Sequence, residues 1–313
     1  MVTDETPSTT RERHRTPGWR SAAHWLYREV DLARRMIADN LLVASVPPVL
    51  FAVAAGAHYN LSAEARLAGI GKAVVLGLLF NYVFDATNQA QDSMEDVYNK
   101  PYRPIPAGLA TADGLMRRFW LAVPVYTLLG WILGAWLWVL LWQIATFLAY
   151  RWGAARYYLW WKSPFNIAGS VTSLAAGWQV TAPLDSTAWT WIVTISLYFP
   201  LALIYEDVRD MEGDHAIGRR TWALVIGPTF VRRWFATFMA LLPCTFYAVL
   251  AHLSGAPGWK GIVWAVAIAI PSWTCATRAL TRHSVSADRL TFQLFYVVWG
   301  ITVGTAPLLV AGA

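Results

Sequence analysis

Apolar runs recur along this chain, separated by short polar breaks. They fall near residues 37–57, 68–88, 119–134, 136–150, 164–183, 188–206, 234–253, 260–279 and 291–311. Runs of about 20 apolar residues have the length a helix needs to cross the hydrocarbon core of a bilayer. The pattern predicts an all-α membrane protein, a bundle of nine transmembrane helices. The weakest break is at Gly134, inside "GWILGAWLWVLLWQ". Residues 1–36 stand apart: they are polar and Arg-rich and lack the apolar core of a cleavable signal peptide. Residues 1–18 read as disordered, and "WLYREVDLARRMI" as an amphipathic helix on the membrane surface. The chain thus divides into an N-terminal segment, 1–36, and a transmembrane domain, 37–313.

Composition agrees with this reading. Hydrophobic residues make up 57% of the chain and charged residues only 14%, against roughly 25% charged in soluble domains. Charge placement tests the helix count, because Lys and Arg collect on the cytoplasmic side of a membrane. With the N-terminus inside, nine spans leave only Arg66, Lys72 and Lys260 outside, and the other 22 of the 25 basic residues inside. The N-terminus and the loops after the even-numbered spans are therefore expected in the cytoplasm and the C-terminus outside, in the plasma membrane if the source is bacterial. This bias accounts for the +6 net charge, and no nucleic-acid partner is expected. Cys244 and Cys275 both fall in apolar spans and read as core residues, and the six histidines show no zinc spacing.

Nine of the nineteen acids sit in two short windows. The first holds Asp85, Asp92, Glu95 and Asp96. The second, "YEDVRDMEGDHAIGRRT", holds Glu206, Asp207, Asp210, Glu212 and Asp214. Each follows a span that ends on the cytoplasmic side, so both reach the same face. Acids at a membrane boundary are costly to desolvate and are functional candidates. Asn88, Asp92 and Asp96 recur at i, i+4, i+8, and Asp207, Asp210 and Asp214 at i, i+3, i+7, which makes a stripe of each on a helix. Two such stripes face to face form an oxygen-rich cage of the kind that suits Mg²⁺ completed by substrate phosphates. Lys100 and Arg103 accompany the first window, and Arg209, Arg219 and Arg220 the second. Carboxylates, Mg²⁺ and Lys/Arg together are what a diphosphate requires. A third element, "RYYLWWKSPFN", puts Tyr158 and Lys162 four apart, on one face if helical. Alone it fits an interfacial aromatic belt with an anchoring lysine better than a phosphate site.

Together the three elements resemble the UbiA superfamily of intramembrane prenyltransferases. The first family signature is N-D-x-x-D-x-x-x-D followed by N-K-P-x-R-P-I-P-x-G; here it reads "NQAQDSMED" and "NKPYRPIPAG". The second, D-x-x-D-x-x-G-D followed by G-R-R-T, reads "DVRDMEGD" and "GRRT", and the Y-x-x-x-K element reads "YLWWK". The resemblance spans about residues 37–311. It implies a nine-helix bundle with a central cavity capped on the cytoplasmic side. It implies two Mg²⁺ ions bridging a diphosphate: Asn88, Asp92 and Asp96 would form one metal cluster, and Asp207, Asp210 and Asp214 the other. Asp92, Asp96, Asp210 and Asp214 would be catalytic. Lys100, Arg103, Tyr158, Lys162 and Arg219 would bind the diphosphate, under a loop shaped by Pro104 and Pro106.

The implied reaction is ionisation of an allylic polyprenyl diphosphate to a cation and pyrophosphate. Aromatic faces can shelter such a cation; Phe84, Tyr158, Trp161, Trp178, Tyr205 and Trp299 are the candidates. In a prenyltransferase an aromatic or lipid acceptor captures the cation, whereas in a terpene cyclase a double bond of the same chain does. Two departures bear on the choice. Gln89 stands where Asp is common, and Glu95 precedes Asp96, so "NQ" and "ED" resemble UbiA-type terpene cyclases. Asp92 is retained, as in transferases. Cyclisation is the expectation, with transfer to an acceptor as the alternative.

Overall fold

A computed structural model describes residues 18–153, 157–255 and 258–311. The stretch expected to be disordered lies almost wholly outside these residues. Among the described residues the chain is helical throughout, with no strand. α1 (Gly18–Ile37) leads through a turn and a π-helical segment, Leu41–Ser45, into α2 (Val46–His58). α3 (Ala63–Gln91) is followed by the short α4 (Ser93–Asn99), then α5 (Ala112–Ile132), α6 (Trp136–Leu148) and α7 (Tyr158–Gln179). α8 (Ser186–Ala202) runs through a 3₁₀ turn, Leu203–Tyr205, into three short helices: α9 (Glu206–Arg209), α10 (Met211–Ala216) and α11 (Trp222–Val225). α12 (Pro228–Thr245), α13 (Trp259–Thr281), α14 (Val285–Gly304) and α15 (Ala306–Leu309) complete the bundle.

Among the described residues, six helical stretches are long and apolar enough to cross a membrane: Leu41–His58, Ala63–Gln91, Ser186–Arg209, Pro228–Ala251, Trp259–Thr281 and Val285–Leu309. The other three expected spans coincide with α5, α6 and α7, which do not reach that length and apolarity together. Local signals set the helix starts. Side chains of Ser62, Thr111, Asp185 and Ser284 accept the orphan N–H groups at the N-termini of α3, α5, α8 and α14. Pro228 opens α12, where no N–H is needed.

α2 packs against α3, α7, α14 and α15; α3 packs on α5; and α6 lies between α5 and α7. α12, α13 and α14 form the other half of the bundle, joined to α7 through α8. Close approach needs small residues. A Cβ on Gly177 of α7 would sit 2.2 Å from the Pro48 carbonyl oxygen and 2.6 Å from the Pro48 Cα of α2. Backbone cannot step aside as a side chain can. Gly177→Ala is therefore expected to destabilise the protein by about 1–3 kcal/mol, read as a lower melting temperature in detergent.

Helices in lipid need only one face to pack, and this corrects one expectation. Cys275 is buried, but Cys244 is exposed on the outer side of α12. α1 is also one-sided. Leu32 and Met36 are buried, whereas Trp25, Leu26, Tyr27 and Val30 are exposed. α1 is held by Glu29, whose carboxylate is gripped by Arg118 at 2.6 and 2.8 Å. That bond holds the Glu29 carboxyl below its usual range, so this clamp is complete at neutral pH and fails as pH falls through the lowered value.

Candidate active site

A cavity of about 290 Å³ opens among α2, α3, α7, α8 and α14. Its mouth is polar and its interior aromatic. α3 ends at Gln91, and Asp92 forms the joint to α4 while the i→i−4 hydrogen bonds continue through it: Asp92 N–H to the Asn88 carbonyl at 2.8 Å, and Asp96 N–H to the Asp92 carbonyl at 2.9 Å. Asn88 and Asp92 line the cavity. Asp96 does not line it; it is buried and forked by Arg103 Nη1 at 3.0 and 3.1 Å. Arg103 also donates through Nε to Asp39 at 2.9 Å, and Tyr102 donates to the same carboxylate at 3.0 Å. Burial opposes the charge of Arg103, but Asp96, Asp85 and Asp39 outweigh it and raise its pKa. Arg103 and Lys100 both reach the mouth. Pro104 and Pro106 lie in tight hydrogen-bonded turns, with Ala107 and Leu109 N–H groups returning to the Arg103 and Pro104 carbonyls, and not in extended backbone. Proline suits this because its fixed φ also matches a turn.

The second motif is also broken into short helices, at Asp210. Glu206, Asp210 and Asp214 line the cavity at i, i+4, i+8. Asp207 does not, although it was expected in this stripe. One residue from Glu206 around the helix, it is buried beside α7, where it accepts from Lys162 Nζ at 2.6 Å. Lys162 also meets Glu206 at 3.0 Å. Glu206 is thus the residue sequence reasoning underweighted. Its signal was present: Glu206, Asp210 and Asp214 repeat the spacing of Asn88, Asp92 and Asp96.

Arg219 joins the two motifs. Its Nη2 meets Asp92 at 2.6 Å and its Nη1 meets Asp214 at 3.4 Å. The turn that brings it back passes through Gly218 at φ +68°, a left-handed conformation natural to glycine, and the Arg219 N–H closes on the Asp214 carbonyl at 2.8 Å. Tyr158 lies beneath this cluster, with the Arg219 guanidinium 4.6 Å and the Lys162 ammonium 5.4 Å from its ring centre. Tyr158 and Lys162 both lie on α7, so their i+4 spacing puts them on one face. Arg209 is paired with Asp210 at 2.5 Å and sits 4.5 Å over Phe292, away from the cavity.

No three acids or histidines converge into a ready metal cage among the described residues. The mouth carboxylates lie against Arg219, Lys162 and Arg209 instead. The donor set nevertheless fits a hard divalent cation: Asn88, Asp92, Glu206, Asp210 and Asp214 present only oxygens as ligands.

Beyond the mouth the wall is aromatic. Phe80 stacks on Trp142 at 4.2 Å, Trp142 on Phe165 at 5.1 Å, and Phe84 lies 5.7 Å from Phe165. Phe84, Trp161 and Trp299 line the cavity as expected, and Trp142, Phe165 and Phe295 join them. Trp178 and Tyr205 do not, which corrects two expectations. Trp178 is more than five turns along α7 from Tyr158, on the other side of the helix. It is fully buried, donating to the Pro183 carbonyl at 2.9 Å and packing on Phe51. Tyr205 stacks on Phe235 at 4.3 Å and donates to Asp288 at 2.7 Å. Gln89, the departure in the first motif, also faces away and donates to the Met36 carbonyl at the end of α1 at 2.7 Å.

The described residues thus form a helical bundle with an acidic and basic mouth over a cavity rich in aromatic rings. The chain belongs to the UbiA prenyltransferase family, whose model matches residues 45–299. It is 30% identical over 276 residues to somaliensene A/B synthase of Streptomyces somaliensis, covering 88% of this chain and 90% of that protein. Two proteins of Hericium erinaceus are also similar. Diterpene cyclase eriG is 35% identical, covering 55% of this chain and 56% of its own length. Polyprenyl transferase eriF is 30% identical, covering 63% and 68%. The fold matches that of a UbiA homologue from Archaeoglobus fulgidus bound to GPP and Mg²⁺, with a TM-score of 0.59 at 14% identity over 88% of this chain and 99% of that one.

Proposed function

We infer that this protein is a UbiA-type terpene cyclase. It ionises an allylic polyprenyl diphosphate, releases pyrophosphate and lets the cation close on a double bond of its own chain. The observation that carries this reading is the division of the cavity. The cations that line it, Lys100, Arg103, Lys162 and Arg219, gather at the mouth with the motif acids, and the interior wall is rich in aromatic rings. Such a cavity suits one anionic head and one hydrocarbon tail. Similarity to somaliensene A/B synthase over most of both chains supports the same reading. Transfer to an aromatic or lipid acceptor is the second reading. It is favoured by the retained Asp92 and by the similarity to polyprenyl transferase eriF.

Asn88, Asp92, Glu206, Asp210 and Asp214 are the residues that would hold Mg²⁺, with two ions as the family resemblance implies. When bound, the metal supplies Lewis-acid stabilisation of the departing diphosphate. Lys162, on buried carboxylates, and Arg219, between the two motifs, turn toward the arriving phosphate oxygens and orient the head group. Lys100 and Arg103 close over it from the 100–110 loop. Asp96 holds Arg103 and Asp207 holds Lys162, so each acts by positioning a cation. The aromatic walls exclude water and present π-faces to the cation. In the membrane, nine helices with the N-terminus and both motifs on the cytoplasmic side complete this proposal.

Two measurements test it. Purified protein with Mg²⁺ is incubated with geranyl, farnesyl, geranylgeranyl and geranylfarnesyl diphosphates, each without acceptor. A cyclic hydrocarbon or alcohol with pyrophosphate release supports the cyclase, whereas intact substrate or only the linear alcohol favours the transferase. Lys162→Met is expected to raise KM for the prenyl diphosphate by about 10- to 100-fold, the worth of one charge-assisted contact. An unchanged KM and rate would return Lys162 to a structural role.

A further inference from the structure

Four polar residues of α7 recur every fourth position, Tyr158, Lys162, Asn166 and Ser170, and all four line the cavity. The first two belong to the mouth. By helical rise, Asn166 and Ser170 lie about 6 and 12 Å further along the axis from Lys162. There the neighbouring wall is Phe80, Phe84, Trp142 and Phe165. Polar groups in such a wall are costly unless they are used. Part of Asn166 is used within the helix: its Nδ2 donates back to the Lys162 carbonyl at 2.8 Å. That bond assigns the amide, because only the nitrogen can donate. With the nitrogen turned toward the helix, the oxygen is the end presented to the open side. Ser170 is tied to α8 by accepting from Ser196 Oγ at 2.9 Å, which fixes this face of α7 against its neighbour.

An amide oxygen held in place over an apolar cavity is the negative end of a preorganised dipole, and such dipoles act most strongly where water is excluded. We propose that Asn166 is a charge-stabilising, specificity-determining residue: its oxygen faces the first units of a prenyl chain whose head is held at Lys162, and favours positive charge there. The inference rests on the reading of the site as a prenyl-diphosphate site, and it applies to cyclase and transferase alike. Asn166 makes and breaks no bond.

Binding of two probes to the full-length chain with Mg²⁺ tests this. One is a protonated geranylgeranyl dimethylamine with inorganic pyrophosphate, a stable mimic of the separated cation and leaving group. The other is geranylgeranyl thiodiphosphate, which carries the same tail but no positive charge. Asn166→Leu is expected to weaken the ammonium probe about ten-fold or more while changing the thiodiphosphate by about two-fold or less, since a hydrogen bond or dipole to a charge is worth more than one to a neutral group. Asn166→Asp gives up the bond to the Lys162 carbonyl, because a carboxylate cannot donate, but puts negative charge at the same position and should retain the ammonium affinity. Asn166→Ala carries the same expectation as leucine if the leucine variant fails to accumulate. An unchanged ammonium affinity, or equal loss of both probes, overturns the inference. Wild-type protein that binds neither probe overturns the reading of the site and the inference with it.

Discussion

Replacing Asp92 or Asp210 by alanine is expected to reduce pyrophosphate release from a prenyl diphosphate by about 10²- to 10³-fold or more, the cost of removing one preorganised electrostatic contact to a transition state. Both side chains line the cavity mouth, from opposite motifs. Each also balances a cation: Asp92 meets Arg219 at 2.6 Å and Asp210 meets Arg209 at 2.5 Å. Asp214 of the second motif also meets Arg219, at 3.4 Å. Both variants should remain folded, because the mouth lies outside the two packed cores. Pyrophosphate release and detergent gel filtration, run together, separate the two effects. Excess EDTA should reproduce the loss in the wild-type protein. Full activity in both variants, or in EDTA, would remove the metal assignment.

The second large effect is on stability and lies away from the cavity. Arg232 of α12 meets Asp288 of α14 through both guanidinium nitrogens, at 2.5 and 2.6 Å, and both side chains are buried. Arg232 also donates to the Arg282 carbonyl at 3.1 Å, and Tyr205 donates to Asp288 at 2.7 Å. One ion pair therefore ties α12, α13, α14 and the 3₁₀ turn before the second motif. Arg232→Met is expected to cost about 3–5 kcal/mol, because it strands a buried carboxylate. The double change Arg232→Met with Asp288→Leu should recover much of that loss, because no charge is left unpaired. Thermal unfolding in detergent reads both. A double variant no more stable than the single one would show that the bonds to Tyr205 and to backbone, not the stranded charge, carry the effect.

The hydrophobic pattern located the helices because lipid forces every backbone group to be satisfied within its own segment. Apolar length was enough to find α2, α3, α8 and α12–α14. The Asp/Arg/Lys spacings were enough to find which ends of which helices carry the chemistry, since the i+4 periodicity of Asn88 and Asp92, and of Tyr158 and Lys162, is a local property. Glu206 followed the same periodicity and was also legible. Direction beyond one helix was not. Whether Asp96 and Asp207 face the cavity or grip Arg103 and Lys162 depends on where other helices end. Trp178 and Tyr205 read as cavity aromatics, yet packing turned them toward Phe51 and Phe235. The sequence alone thus determined the helical membrane architecture, the family and the chemical character of the site. Only the tertiary structure decided which acids line the mouth, which cation joins the two motifs and which rings form the wall, because those choices depend on contacts between residues far apart in the chain, such as Asp92 with Arg219, that no local periodicity encodes.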